Sequence, residues 1–144
     1  MPVEDYLFTE TDDTCAICGI RGRQILTIHH IDGNSTNNTY DNMIILCHNC
    51  HHSYHQNKGL SRHEIELRKR HLILKTLTEY GLSAMKIADR NQVGVVALPF
   101  LLYHLVGLKY MRQEETQMAY DNIPVTVKFS ITDDGRALLT KWFS

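Results

Sequence analysis

The chain has 144 residues, 43% of them apolar, and a formal net charge of −1. That length suits one ordinary domain or two small ones, and the near-neutral balance excludes a polycation. No N-terminal run is apolar enough for a signal peptide and no stretch approaches a membrane span, so the expected location is the cytoplasm, with no membrane partner.

The charge is unevenly split. Residues 1–58 carry three Lys/Arg and seven Asp/Glu, whereas residues 59–144 carry twelve and nine. The second segment is the weakly favoured contact for a polyanion. Four cysteines form two Cys-x-x-Cys pairs, which without an export signal favours a metal site over disulfides.

Residues 1–14 are acidic and mixed, and read as an N-terminal arm of undefined structure. Cys15-Ala16-Ile17-Cys18-Gly19 follows, with the pattern of a zinc knuckle: two thiolates three positions apart reach one ion, and glycine allows the tight turn beneath it. Gln24 to Ile31 is predicted as a strand that ends at the pair His29-His30. Asp32 to Asp41 is a polar loop with strong turn chemistry. Met43 to Leu46 is predicted as the returning strand. His48 to Asn57 is predicted as a short helix stopped near Gly59, and it puts His51 and His55 one turn apart on the same face. They can therefore share one ion, whereas His52 points about 100° away.

In the second half, Ser61-x-x-Glu64 is a capping box that opens a helix running to about Tyr80, with Gly81 as its stop. Ser83 caps a short helix, Ala84 to Arg90, and a turn follows at Asn91-Gln92. An apolar helix is predicted from Val95 or Pro99 to Val106. Leu108 to Arg112 reads as a strand and Gln113 to Pro124 as a polar loop. Val125, Val127, Phe129 and Ile131 alternate with polar residues as in a half-buried strand. The last helix, Asp133 to Phe143, gathers Leu138, Leu139, Trp142 and Phe143 on one side. The fold class expected is α+β, divided into residues 1–59 and 60–144.

Cys15, Cys18, Cys47 and Cys50 make two Cys-x2-Cys pairs separated by 28 residues. Four thiolates suit a closed tetrahedral zinc site. A module of about 60 residues buries little surface, and a metal supplies the missing stability. Free buried cysteines or a redox pair are the alternatives. The histidines are the second candidate centre. An imidazole with an ordinary pKa of about 6.5 suits a general base near neutral pH. Neighbouring strand residues point to opposite faces, so His29 and His30 cannot share one role.

Ile28-His29-His30-Ile31-Asp32, then Asn42, then Leu46-Cys47-His48-Asn49-Cys50-His51 with His55, resembles the HNH endonucleases with a four-cysteine zinc, which belong to the ββα-metal nucleases. The resemblance covers about residues 15–55. It implies that His30 is the general base and that His29, His51 and His55 ligate one catalytic divalent ion. Asn42 would brace the loop between the strands and help orient the base. It also implies DNA as substrate and a structural zinc on the four cysteines. Mg, Mn, Ni and Zn all remain open for the catalytic ion. A zinc-dependent DNA-binding or regulatory protein that cleaves nothing is the alternative, and RNA is an alternative substrate.

Residues 61–144 look like a winged-helix domain, by element order and by the stretch Phe129-Ser-Ile-Thr-Asp-Asp-Gly-Arg136-Ala-Leu-Leu. The wing would be Gln113 to Pro124. The expected recognition helix, Leu98 to Val106, has almost no charge, so a homodimer or protein contact through this domain is as good a reading as groove binding. Arg68-Lys69-Arg70 is the candidate nucleic-acid contact, with a solvated charged face as the alternative.

Overall fold

The computed structural model describes residues 1–144. They form two compact units, Met1–Thr76 and Leu77–Ser144.

The first unit opens with helix α1, Val3–Thr11. The acidic arm is therefore an ordered helix, with Leu7 and Glu10 buried. Strands β1 (Leu26–His30) and β2 (Met43–Cys47) form an antiparallel hairpin in which His29 faces Ile44 and His30 faces Met43. All five residues of β2 are buried. Both α1 and helix α2 (His48–His55) pack on β2, which explains an apolar run with no alternation. Asn57 and Gly59 take positive φ (55° and 88°) after α2, as the glycine stop predicts.

Helix α3 spans Arg62–Asn91, and the Ser61 hydroxyl accepts from the Glu64 amide at 3.2 Å. The expected stop at Gly81 is not there. The helical run breaks instead at Thr78 (φ 67°, ψ 164°) and then continues through Gly81 and the expected second start at Ser83. Thr78 restarts the helix, because its Oγ1 accepts from the Gly81 amide at 3.2 Å. His104 Nε2 donates to the carbonyl of Leu77 at 2.8 Å, satisfying a group that the break removes from the helical ladder.

Within the first unit, Glu10 of α1 is tied to the first part of α3. Lys69 Nζ lies 2.7 Å from Glu10 Oε1, and both side chains are sealed from solvent. Tyr40 Oη and Thr76 Oγ1 donate to the other carboxylate oxygen. Lys69 Nζ also sits 3.9 Å from the centre of the Tyr40 ring.

Beyond α3, the second unit departs from expectation again. Val95–Ala97 is a short strand, β3, rather than the start of a helix; Pro99–Leu101 is a single 3-10 turn and only Tyr103–Gly107 is helical (α4). Gln113 to Pro124 is not a loop. It belongs to a long hairpin of β4 (Met111–Tyr120) and β5 (Ile123–Ile131). Asp121 and Asn122, both at positive φ, form its two-residue turn. The sheet is antiparallel in the order β3-β5-β4. Helix α5, Asp133–Phe143, lies where the sequence puts it, with Thr132 as its N-cap. Gly135 is required there, since a Cβ would meet the Tyr110 carbonyl oxygen at 2.2 Å. No helix of the chain is long and apolar enough to cross a membrane.

Candidate metal centres and active site

The turn before β1 carries the first cysteine pair. The Cys15 amide donates to Ile20 O and the Gly19 amide to Cys15 O, with Gly19 at φ 78°. The Ala16 amide donates to Ile45 O at 2.9 Å, which docks the turn on β2. The second pair sits where β2 ends and α2 begins. Cys47 is the N-cap of α2, its Sγ accepting from the Cys50 amide.

The four Sγ atoms lie within 4.8 Å of one another, and Cys18 Sγ is 3.7 Å from Cys47 Sγ. A tetrahedral ion with bonds of about 2.3 Å sets its sulfurs about 3.8 Å apart. The cysteines are not disulfide-bonded. Burial raises the Cys15 thiol, but amides of Cys18, Cys47 and Ile17 together outweigh it and lower its pKa to about 7. Burial first, then the neighbouring thiols, push Cys50 strongly up. Packed thiols thus resist ionising together until a cation joins them, so the donor set fits zinc.

The second centre joins β1 to α2. His29 is only 4% exposed and its Nε2 is sealed from solvent without a hydrogen-bond partner. An orphaned buried nitrogen is costly unless something coordinates it. The rings of His51 and His55 stand 5.0 and 5.9 Å from that of His29, and their Nε2 atoms are 2.9 Å apart. One ring nitrogen from each histidine fits within a 4.8 Å span. Burial, followed by the charges of His51, His55 and His30, lowers the His29 pKa to about 4. Burial and then His55 and His48 also lower that of His51. Neutral imidazoles with free lone pairs are the ligand form, so this trio fits a divalent cation with coordination positions to spare.

His30 is directed elsewhere. Its Nε2 meets Asn38 Oδ1 at 2.8 Å, and its ring joins the other three histidines, Ile28, Gly33, Ser35 and Tyr54 in lining a cleft of about 330 Å³. Asn42 is fully buried and braces the loop between the strands. Its Nδ2 donates to Asp32 Oδ1 and to Asn37 O, both at 2.9 Å, and its Oδ1 accepts from the Asp32 amide at 3.0 Å. Asp32 is the hub of that loop. Its carboxylate also accepts from the Asn34 amide and from Asn37 Nδ2, each at 2.8 Å.

The sequence offers Tyr54 and Asp32 as residues that could serve the site, with packing or loop capping as the alternative, and does not distinguish Asn38. Tyr54 sets its ring edge-on to His29, with centroids 4.7 Å apart. Its place between His51 and His55 was a usable signal. Asn38 had none, being one of four asparagines in the loop. Arg68-Lys69-Arg70 is not one basic surface. Arg68 and Arg70 are exposed, but Lys69 is wholly buried against Glu10 and cannot contact phosphate. Successive residues on a helix are about 100° apart, so the three never shared a face.

Residues 15–57 match the family model described as HNH endonuclease, a match over less than a third of the chain. No curated protein and no solved structure matches the chain.

Proposed function

We propose that this chain is a metal-dependent endonuclease that hydrolyses phosphodiester bonds in DNA. The observation that carries the reading is the buried, unpartnered Nε2 of His29 converging with His51 and His55 beside a separately held His30. This geometry lies inside the segment matching the HNH endonuclease model.

In this reading His30 takes the proton from the attacking water. A divalent ion on the three imidazoles, when bound, supplies open positions that polarise the phosphate and stabilise the leaving oxygen. Tyr54 and the burial of His29 keep that ring fixed and neutral. Asn42 holds the loop that joins His30 at the end of β1 to β2. The four cysteines hold zinc and anchor both ends of the hairpin to α2, with no part in the chemistry.

The nuclease module, expected over residues 1–59, would extend with the first compact unit to Thr76, and the winged-helix-like partner domain, expected over residues 60–144, would be Leu77–Ser144. The three-stranded antiparallel sheet, its long hairpin and α5 support that second assignment. Exposed Arg68 and Arg70 are candidate phosphate contacts.

The test uses zinc-loaded protein freed of loosely held metal by a mild chelator. It is incubated with supercoiled plasmid or with RNA, and Mg, Mn, Ni and Zn are added back separately. Nicking of plasmid by at least one metal is expected. Intact plasmid in every lane with folded, zinc-loaded protein would contradict the proposal, and cleavage of RNA alone would overturn the assignment of DNA.

A further inference from the structure

We propose that Asn38 is a positioning residue that fixes the tautomer of His30, holding its proton on Nε2 and leaving Nδ1 as the atom that accepts a proton. This deepens the nuclease reading and rests on it for the role of His30.

Asn42, the asparagine expected to help orient the base, makes its side-chain hydrogen bonds to the loop and none to His30. Its Nδ2 and Oδ1 are spent on Asp32 and on the Asn37 carbonyl. Asn38 instead places Oδ1 2.8 Å from His30 Nε2. An amide oxygen only accepts, so the imidazole nitrogen facing it must donate. A neutral imidazole has one N–H, so the lone pair is left on Nδ1.

Asn38 is exposed, yet the residue before it is anchored twice. The Asn37 carbonyl accepts from buried Asn42, and Asn37 Nδ2 donates to Asp32 Oδ2 at 2.8 Å. Asp32 lies two residues after His30 on the same chain. Base and positioning residue are therefore referred to one rigid frame, the Asp32–Asn37–Asn42 hydrogen-bond set. That frame separates the two asparagines: Asn42 builds the loop, and Asn38 uses it to reach the ring.

Three proteins test this: the parent, Asn38→Asp and Asn38→Leu, all full-length and zinc-loaded. A carboxylate keeps the acceptor and cannot donate, whereas leucine offers neither. The first readout is the 15N spectrum of the His30 ring, followed to rising pH until it no longer changes and assigned by loss of its signals in His30→Gln. The proton is expected on Nε2 in the parent and in Asn38→Asp, with mixed tautomers in Asn38→Leu.

The second readout is steady-state cleavage. Asn38→Leu is expected to lose about 10- to 100-fold in kcat with KM little changed, a partial loss of the roughly 10²- to 10⁴-fold that general-base catalysis contributes. Asn38→Asp is expected to retain most of the activity. A proton on Nδ1 in the parent, or equal kcat in parent and Asn38→Leu, would overturn the proposal. So would an Asn38→Asp variant as poor as leucine, because the asparagine would then be donating. A parent with the expected tautomer that cuts no nucleic acid would uphold the hydrogen bond and overturn the nuclease reading alone.

Discussion

The Nε2 atoms of His51 and His55 face each other at 2.9 Å across one turn of α2. Two imidazoles at that distance share a proton or give both lone pairs to a cation, and the orphaned His29 nitrogen beside them favours the cation. The full chain is then expected to bind about two equivalents of divalent metal, and His55→Ala about one, with the sulfur site still filled. Elemental analysis after dialysis checks the count. An unchanged second equivalent in His55→Ala would remove the trio as a binding site.

Cys47 ends β2, caps α2 and belongs to the sulfur cluster. Cys47→Ser is expected to lose the structural zinc and, with it, cooperative unfolding of the first unit. Closed cysteine sites supply folding free energy directly. Zinc content and thermal unfolding with and without a strong chelator measure this. A zinc-free variant with the parent's melting behaviour would contradict it.

Lys69 and Glu10 form a buried pair that ties α1 to α3 within the first unit. Lys69→Ala strands a buried carboxylate that also holds Tyr40 and Thr76, and is expected to cost about 3–5 kcal/mol. Arg68→Ala, at an exposed site, is expected to stay within about 0.5 kcal/mol. Urea unfolding followed by circular dichroism separates them. Equal small effects would mean that the pair does not brace the unit.

Asp32→Ala removes the acceptor for Asn34 N, Asn37 Nδ2 and Asn42 Nδ2 at once. Asn42 is buried, so one of its two Nδ2 hydrogens is left without a partner, while its bonds to Asn37 O and to the residue-32 amide remain, at an expected cost of about 1–3 kcal/mol. Cleavage is expected to fall more than stability, since the same loop carries Asn38. A fully active variant would show that the loop frame does not position His30.

The hairpin and α2 were legible in the sequence because cysteine and histidine spacing fixes register. A shift of one residue would exchange the faces of His29 and His30, and a non-helical 51–55 segment would not bring two imidazoles together. Other parts were hidden for physical reasons. Val95–Ala97 lies in a continuous apolar run, which has no period to distinguish strand from helix. Gln113 to Pro124 looked like a loop because β4 is exposed on nearly all its residues, leaving no apolar alternation. Thr78 carried no breaker signal, since its positive φ is imposed by tertiary structure and offset by the hydrogen bonds at Gly81 and Leu77. Lys69 read as part of a surface cluster because its partner Glu10 lies far away in sequence. The Ser61 capping box marks where α3 begins but not which unit its first turns join, and residues 62–76 go with the first.

The most direct measurement compares the parent with His30→Ala for conversion of supercoiled to open-circular plasmid, both folded, both zinc-loaded and both supplied with the best metal. Metal-dependent nicking by the parent is expected, with a loss of about 100-fold or more in the variant and both metal equivalents retained. Equal nicking by the two proteins would contradict the account, because the activity would then owe nothing to the base beside the imidazole site.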